Sequence, residues 1–305
     1  MSSRPRPGPS RTVQRWRIGS REIVIDHPII IGIINVTPDS FSDGGNFFGS
    51  EAAIEQAIKL VDDGADALDF GGESTRPGAE LVDEPEEMRR VIPVIEEARK
   101  ALPNIPLSID TWKSSVARAA LEAGADIVND VSALRFDARL GPVAAKRKAG
   151  LILMHSRGRL ADIASYKRSS YSGDVCDDVA EELSERASRA LALGVAKESI
   201  VLDPGIGFSK KSDQSRAILS NLGALRKLGY PVLVGASRKR TITESLREAR
   251  GLEESAELSM EARDAGTAGA NVIALCSGAM LFRVHNVAIN RAALDVAWKV
   301  LTVGA

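Results

Sequence analysis

The stretch "SEAAIEQAIKLVDDGADALDFGG", Ser50 to Gly72, contains the unit from which the chain is built. Its first half carries Ile54, Ile58 and Val61 at spacings of four and three, the period of one helical face. Gly64 follows where a left-handed residue closes a helix, a conformation glycine adopts without a Cβ clash. A short apolar run, "ALDFGG" (67–72), comes next and empties into polar residues. Helix, Gly-Ala turn, strand and polar cluster make a βα repeat, and Gly124 and Gly278 likewise precede Ala and an apolar run.

Working outward, the same reading gives strands at "IIIGIINV" (29–36), "PLSID" (106–110), "DIVND" (126–130) and "LILMH" (151–155). It continues with "SIVLDPG" (199–205), "PVLVGAS" (231–237) and "MLFRVH" (280–285). Eight strands alternating with helices, with no shift of composition along the chain, predict an α/β protein of the (β/α)8 TIM barrel class. A doubly wound open sheet is the alternative. Residues 11–27, "RTVQRWRIGSREIVIDH", read as an N-terminal β-hairpin turning at Gly-Ser and covering the barrel bottom. The expected organisation is a disordered tail over 1–14 and a single barrel domain over 15–305, with the hairpin at 15–27.

With 305 residues, 44% hydrophobic and 27% charged, the chain can bury a large core. Forty basic against 41 acidic side chains leave a net charge of −1, which argues against nucleic-acid or membrane-surface partners. Cys176 and Cys276 lie far apart and form no CxxC pair, as in a reducing, cytoplasmic setting. No run of about 18 apolar residues occurs, and "MSSRPRPGPSR" has no apolar signal core.

Position is the informative property of the polar residues. In a barrel of this class the C-terminal strand ends form the active face. Asn35 ends the first strand, Asp69 sits in the second, and Asp110, Asn129 and His155 end the next three. Asp203 ends the sixth, Ser237 with Arg238 and Lys239 the seventh, and Arg283 with His285 the eighth. Singly, each has a bland explanation: Asp69 or Asp110 can cap a helix, and His155 can be a satisfied core histidine. Together they divide by charge. Arg76, Arg283 and His285, with Asn35 and Thr75, suit an anion with several oxygens, which the guanidinium fork matches. Asp110, Asn129, Asp203 and Lys239 suit a flat heterocycle with a donor edge and a carbonyl or ring nitrogen. Left unpaired, such charges would each cost roughly several kcal/mol to bury. HExxH, paired CxxC and a nucleophile elbow are missing from the sequence. A divalent ion would therefore be Mg²⁺ held mainly by substrate phosphates, with Asn35 as its protein oxygen.

The motifs "NVTPDSFSDGG", "GGESTRPGA", "SIDT", "NDVS", "LMH", "LDPGIGF", "GASRK" and "RVH" resemble, in order and spacing, those of the dihydropteroate synthases, from about Ile29 to the C-terminus. The resemblance implies condensation of 6-hydroxymethyl-7,8-dihydropterin diphosphate with 4-aminobenzoate, giving 7,8-dihydropteroate and diphosphate, in a cytoplasmic homodimer paired through late helices. It implies that Asp110, Asn129, Asp203 and Lys239 hold the pterin, with Met154, Phe208 and Gly235 lining its pocket. Asn35, Arg283 and His285 would bind diphosphate, with Mg²⁺ at Asn35. Phe41, Thr75, Arg76, Pro77 and Ser237, with the stem of Lys239, would shape the 4-aminobenzoate site. Diphosphate departure would leave a pterin-methyl cation, which makes Asn35, Asp39, Lys239, Arg283 and His285 the catalytic set. Thr37 to Gly45, a turn by composition, becomes a lid hinged at Gly44 and Gly45 that brings Asp39 and Phe41 over the substrates.

The pattern is not copied everywhere. "SKKS" (209–212) stands where Gly-Lys-Thr is usual after "GIGF", and Thr241 stands where an aromatic is usual. Ala133 replaces a common Gly, Ser156 a larger side chain, and Asn286 the usual Asp. Ordinary drift among distant synthases, which we favour, accounts for these departures. The competing reading is a sulfonamide-insensitive, resistance-type member with an altered 4-aminobenzoate rim. Two further functions remain to be weighed, a pterin-binding methyl-transfer barrel and a non-catalytic pterin-binding paralogue. Arg76, Arg283 and the long "TPDSFSDGG" loop count against the first, and retention of Asn35, Arg283 and His285 against the second.

Overall fold

A computed structural model describes residues 13–36, 45–73 and 81–303. A hairpin of β1 (Gln14–Ile18) and β2 (Arg21–Ile25) leads into β3 (Ile29–Asn35), α1 (Gly45–Asp62), β4 (Ala67–Gly71) and α2 (Glu84–Ala101). There follow β5 (Leu107–Asp110), α3 (Ser114–Ala123), β6 (Ile127–Asp130), α4 (Leu140–Arg147), β7 (Gly150–Met154) and α5 (Val175–Ala192). The chain ends with β8 (Ile200–Asp203), α6 (Ser212–Ser220), α7 (Gly223–Lys227), β9 (Leu233–Val234), α8 (Arg240–Arg250), α9 (Met260–Ser277), β10 (Leu281–Val284) and α10 (Val287–Leu301).

Eight parallel strands form one sheet in the order β8-β7-β6-β5-β4-β3-β10-β9, and a bridge between Leu202 and Val232 joins its two edges. The sheet is therefore closed, as the repeat predicted, and the open-sheet alternative falls. Every residue of β4, β6, β7 and β8 is buried, because the strands face packed side chains inside and helices outside. Register fixes the mouth. One row of partners runs Asn35, Gly71, Asp110 and Asn129 across β3 to β6. Partners on adjacent strands, and residues two apart on one strand, share a face. Asp69 thus points inward with Asp110 and Asn129, as do Met154 and its partner Asp203, and Arg283 follows from its pairing with Ile31.

The hairpin seals the other end. Trp16 is fully buried and donates its indole N–H to the Ser199 carbonyl at 2.9 Å, just ahead of β8. A Cβ on Gly150, at the start of β7, would lie 2.6 Å from Ile18 and 3.0 Å from Trp16, so glycine is required for that approach. The hairpin covers the bottom as expected, but it begins at Gln14, inside the predicted tail. Residues 1–12 lie outside the described residues.

One detail of the opening stretch is corrected. In α1 the fully buried positions are Ala53, Ala57 and Leu60; Ile54 and Val61 flank the core, and Ile58 is 40% exposed. The bulky spacing read from sequence marks the shoulder of the buried face. Its centre is small because the helix lies close to β3, where a Cβ on Gly32 would meet Leu60 at 3.1 Å. Gly64, Gly124 and Gly278 all take positive φ, as a helix-closing glycine should.

Candidate active site

At the mouth the inward-facing row becomes a hydrogen-bonded network. Arg283 donates from Nε to Asp69 Oδ2 at 2.6 Å and from Nη2 to Asp110 Oδ2 at 2.8 Å. Asn129 donates its amide to the same Asp69 oxygen at 2.9 Å. Asp69 is completely buried, and its Oδ1 has no partner among the described residues. Burial works against the charge of Arg283, but Asp69 and Asp110 outweigh it and hold its pKa above the ordinary value. Burial also pushes Asp110 up to about 7 against the pull of Arg283, with the nearby Asp69 charge adding to the rise.

Beside this network lies a slot with opposite charges on its two sides. Asp203 accepts the Gly205 N–H through Oδ1 at 2.7 Å, while its Oδ2 has no hydrogen bond among the described residues. The Lys239 ammonium stands 4.3 Å over the Phe208 ring, a cation–π contact. No ion pair joins Asp203 and Lys239. Gly235 lies between them: a Cβ there would sit 3.7 Å from Asp203 Oδ2 and 3.8 Å from both Lys239 Nζ and Arg283 Cβ. Burial lowers Lys239 to about 8 despite Asp203, and raises the Asp203 carboxyl despite Lys239. Two buried opposite charges held apart across space left by a missing side chain are costly unless a ligand completes them. Met154 and Phe208, packed with Val131 and Ile163, form the slot's apolar wall.

Ser237 and His285 form a second pair, with Ser237 Oγ 2.9 Å from His285 Nδ1 and accepting the His285 N–H at 3.2 Å. Asn35 ends β3 half-buried, and its carboxamide makes no hydrogen bond with the described residues. No group of three or more His, Cys, Asp or Glu able to hold a metal occurs among the described residues. Asp39, Phe41, Thr75, Arg76 and Pro77, with residues 37–44 of the predicted lid, lie outside the described residues.

Arg283, read from sequence as part of the anion set, has its guanidinium anchored to Asp69 and to Asp110 of the heterocycle set. Arg238 leaves the mouth, gripping Asp264 from Nε at 2.6 Å and Nη2 at 2.9 Å. His155 follows Met154 by one residue and faces outward. It is 3% exposed, 3.1 Å from Glu182 and 2.8 Å from the Lys210 ammonium. Burial, with the Lys210 charge, lowers it to about 3. It is the satisfied core histidine of the bland reading.

Two residues lay outside the two sets read from sequence. Asp69 was placed among the polar residues of the strand mouths but in neither set, although an acid inside an otherwise apolar strand, two residues from its end, is a signal for an inward carboxylate. Lys210 carried no such signal: it is completely buried and also donates to the carbonyls of Phe208 at 3.0 Å and Gly205 at 3.2 Å. The departures in pattern prove to be built into local structure. Ser209 (φ 51) and Ala133 (φ 49) adopt left-handed backbone where glycine is usual, at roughly 1–2 kcal/mol each. Ser209 offsets this by donating to the Arg157 carbonyl and accepting the Arg157 N–H, both at 2.9 Å. Ser156 donates to the Val131 carbonyl, Asn286 caps α10, and Thr241 is buried in the first turn of α8. That pattern supports drift.

A match to the pterin-binding enzyme family spans residues 31–285. The dihydropteroate synthase of Clostridium beijerinckii is 41% identical over 276 residues, covering 90% of this chain and 95% of that protein. The chain belongs to the dihydropteroate synthase family. A Xanthomonas albilineans dihydropteroate synthase solved with 4-aminobenzoic acid superposes with a TM-score of 0.84 at 42% identity, over 95% of this chain and 99% of that one. A Clostridium difficile dihydropteroate synthase solved in the presence of pteroic acid gives 0.81 at 39% identity, over 94% and 99%. The activity is that of the family, a transferase reaction of folate biosynthesis.

Proposed function

We propose that the Asp203–Gly235–Lys239 slot binds the pterin ring of 6-hydroxymethyl-7,8-dihydropterin diphosphate, and that the mouth condenses it with 4-aminobenzoate. The observation that carries this reading is the pair of unjoined buried charges across Gly235. A planar ring in that gap gives its donor edge to Asp203 Oδ2 and accepts from Lys239, with Met154 and Phe208 against its faces. Asn129 and Asp110 extend the polar edge. Arg283 is held by two carboxylates before any ligand arrives, so its orientation does not have to be organised during reaction.

The bond that breaks joins the pterin methylene to the diphosphate oxygen, and the electron pair leaves with diphosphate. Arg283 and His285 face the departing charge, and Ser237 positions the His285 ring. Asp203 and Asp110 stabilise the electron-poor pterin left behind. The lone pair of the arylamine then forms the new C–N bond, and its proton passes to solvent. A single carboxamide oxygen at Asn35, which no described residue engages, fits Mg²⁺ that would take its other ligands from substrate phosphate and water, and would not hold such an ion alone. Bound there, Mg²⁺ supplies further neutralisation of the diphosphate.

Phe41, Thr75, Arg76 and Pro77 complete the 4-aminobenzoate side of this reading, and Asp39 serves the pterin cation. The working unit is a cytoplasmic homodimer formed through α9 and α10, which expose Ile273, Val296 and Val300; no described helix is long and apolar enough to cross a membrane. Diphosphate release from the pterin substrate with Mg²⁺ and 4-aminobenzoate tests the function, and absence of release from folded protein sinks it. A sulfonamide should inhibit with a Ki within about tenfold of the 4-aminobenzoate KM, since the departures have structural explanations; a Ki a hundredfold above it would revive the resistance reading.

A further inference from the structure

We propose that a cavity on the outer side of β7, between the β7–α5 connection and α5, binds a small tetrahedral oxyanion of the phosphate class through Arg135 and Arg186. The cavity has a volume of about 130 Å³ and is lined by Arg135, Ser156, Arg157, Glu182 and Arg186, with Met154 and His155 in its wall. One water needs on the order of 10–15 Å³ on this scale, so a phosphate fits with solvent to spare. Met154 is shared between this wall and the apolar wall of the slot proposed for the pterin.

Charge makes the case. Three guanidiniums face one carboxylate, and that carboxylate is already engaged: Glu182 accepts from Arg157 Nε at 2.8 Å and lies 3.1 Å from His155. Arg157 is further held by Asp178 at 3.8 Å and by the Tyr171 ring at 3.9 Å. His155 is neutral. Arg135 has no carboxylate at ion-pair distance; it donates to the Gly158 carbonyl and to Ser156 Oγ, both at 2.9 Å, and its buried Nε has no partner among the described residues. Asp130, the acid whose charge acts most on it, accepts hydrogen bonds from Ser132 and Leu134 instead. Among the described residues Arg186 has only Glu185, at 3.7 Å on the exposed helix surface.

Arg135 and Arg186 therefore repel each other across the cavity, and burial and that repulsion both lower the Arg135 pKa. An anion relieves both effects. Donors arriving from the β6–α4 connection and from α5 converge from different directions, which suits an oxyanion whose oxygens point several ways better than a flat carboxylate. Two sources share that chemistry, free inorganic phosphate and the diphosphate released at the mouth.

Isothermal titration of the whole protein with inorganic phosphate, and separately with diphosphate, in Mg²⁺-free buffer tests this. Saturable binding is expected at a site that weakens at least tenfold in Arg186→Gln and in Arg135→Gln, while diphosphate held at the mouth by His285 registers as a separate site that Arg186→Gln leaves unchanged. The Arg186 side chain is 35% exposed on α5, so its variant folds even if the Arg135 variant does not, and circular dichroism verifies this. Tighter binding of phosphate at the Arg186-dependent site identifies the free ion as the occupant, and tighter binding of diphosphate there identifies the product. No saturable binding to either overturns the proposal. A single site, lost in His285→Gln and unchanged in Arg186→Gln, overturns it as well, by placing the anion at the mouth.

Discussion

Met154 and His155 are neighbours in sequence, and two buried clusters of ionisable side chains lie on either side of them. Inside the barrel, Asp203 and Lys239 stand apart across Gly235, and Asp69 and Asp110 share one arginine. Outside it, His155, Glu182, Lys210 and Arg157 close upon one another, each with a polar partner within the fold. Both clusters perturb pKa values. The difference is completeness: the outer group is satisfied by protein, whereas the inner one needs something more. Perturbed titration alone would not have separated the active site from a structural network.

Substitution should break the two clusters in different currencies. Asp203→Ala and Lys239→Ala are each expected to lower kcat/KM by about 10²-fold or more, while His155→Gln changes it less than threefold. Equal losses in steady-state kinetics would abolish the distinction. Gly235→Ala sharpens it: the added methyl meets only ordinary van der Waals distances in the protein, so Tm should stay within a few degrees while KM for the pterin substrate rises about tenfold. A large drop in Tm would show that the gap is packing rather than a ligand site.

The inner cluster should also govern activity against pH. With Asp110 near 7 and Lys239 near 8, kcat/KM falls as pH drops through about 7 and again as it rises above about 8. Asp110→Asn should remove the acid limb, and a profile flat from pH 6 to 9 would contradict the assignment. The outer cluster should instead govern stability. His155 is held near 3 against 6.5 when unfolded, so between those values the unfolded chain binds the extra proton. Stability is then complete above pH 6.5 and declines as pH falls toward 3. His155→Gln should flatten that decline in urea titrations, the smallest of these effects.

The barrel was legible because its βα period recurs eight times, and strand positions follow from apolar runs between glycine-marked helix ends. Most of the mouth was legible too, since polar residues at the C-terminal ends of buried strands have few structural uses. What the sequence concealed follows from direction. Side chains alternate along a strand, so Asn129 faces in while Asp130 faces out, and Met154 and His155 divide likewise. Asp69 and His155 stood together among the polar residues at strand ends, and it is this period that separates the inward Asp69 from the outward His155. Lys210 was beyond reach, because only the folded turn after β8 brings it against His155. The helix face was misread because bulky residues were taken to mark its centre, where close packing had required alanine.

The barrel is closed between β8 and β9 by one bridge, Leu202 to Val232, and β9 is two residues long. Asp203 adjoins that seam on one side, and Gly235, Ser237 and Lys239 on the other. A ring with one thin joint opens there first, so amide hydrogens around 201–203 and 232–235 should exchange faster than those of β4 and β5. The slot width is thereby tied to the joint of the barrel: a ligand spanning Asp203 and Lys239 would clasp the ring shut, and slower exchange along the seam would report its arrival.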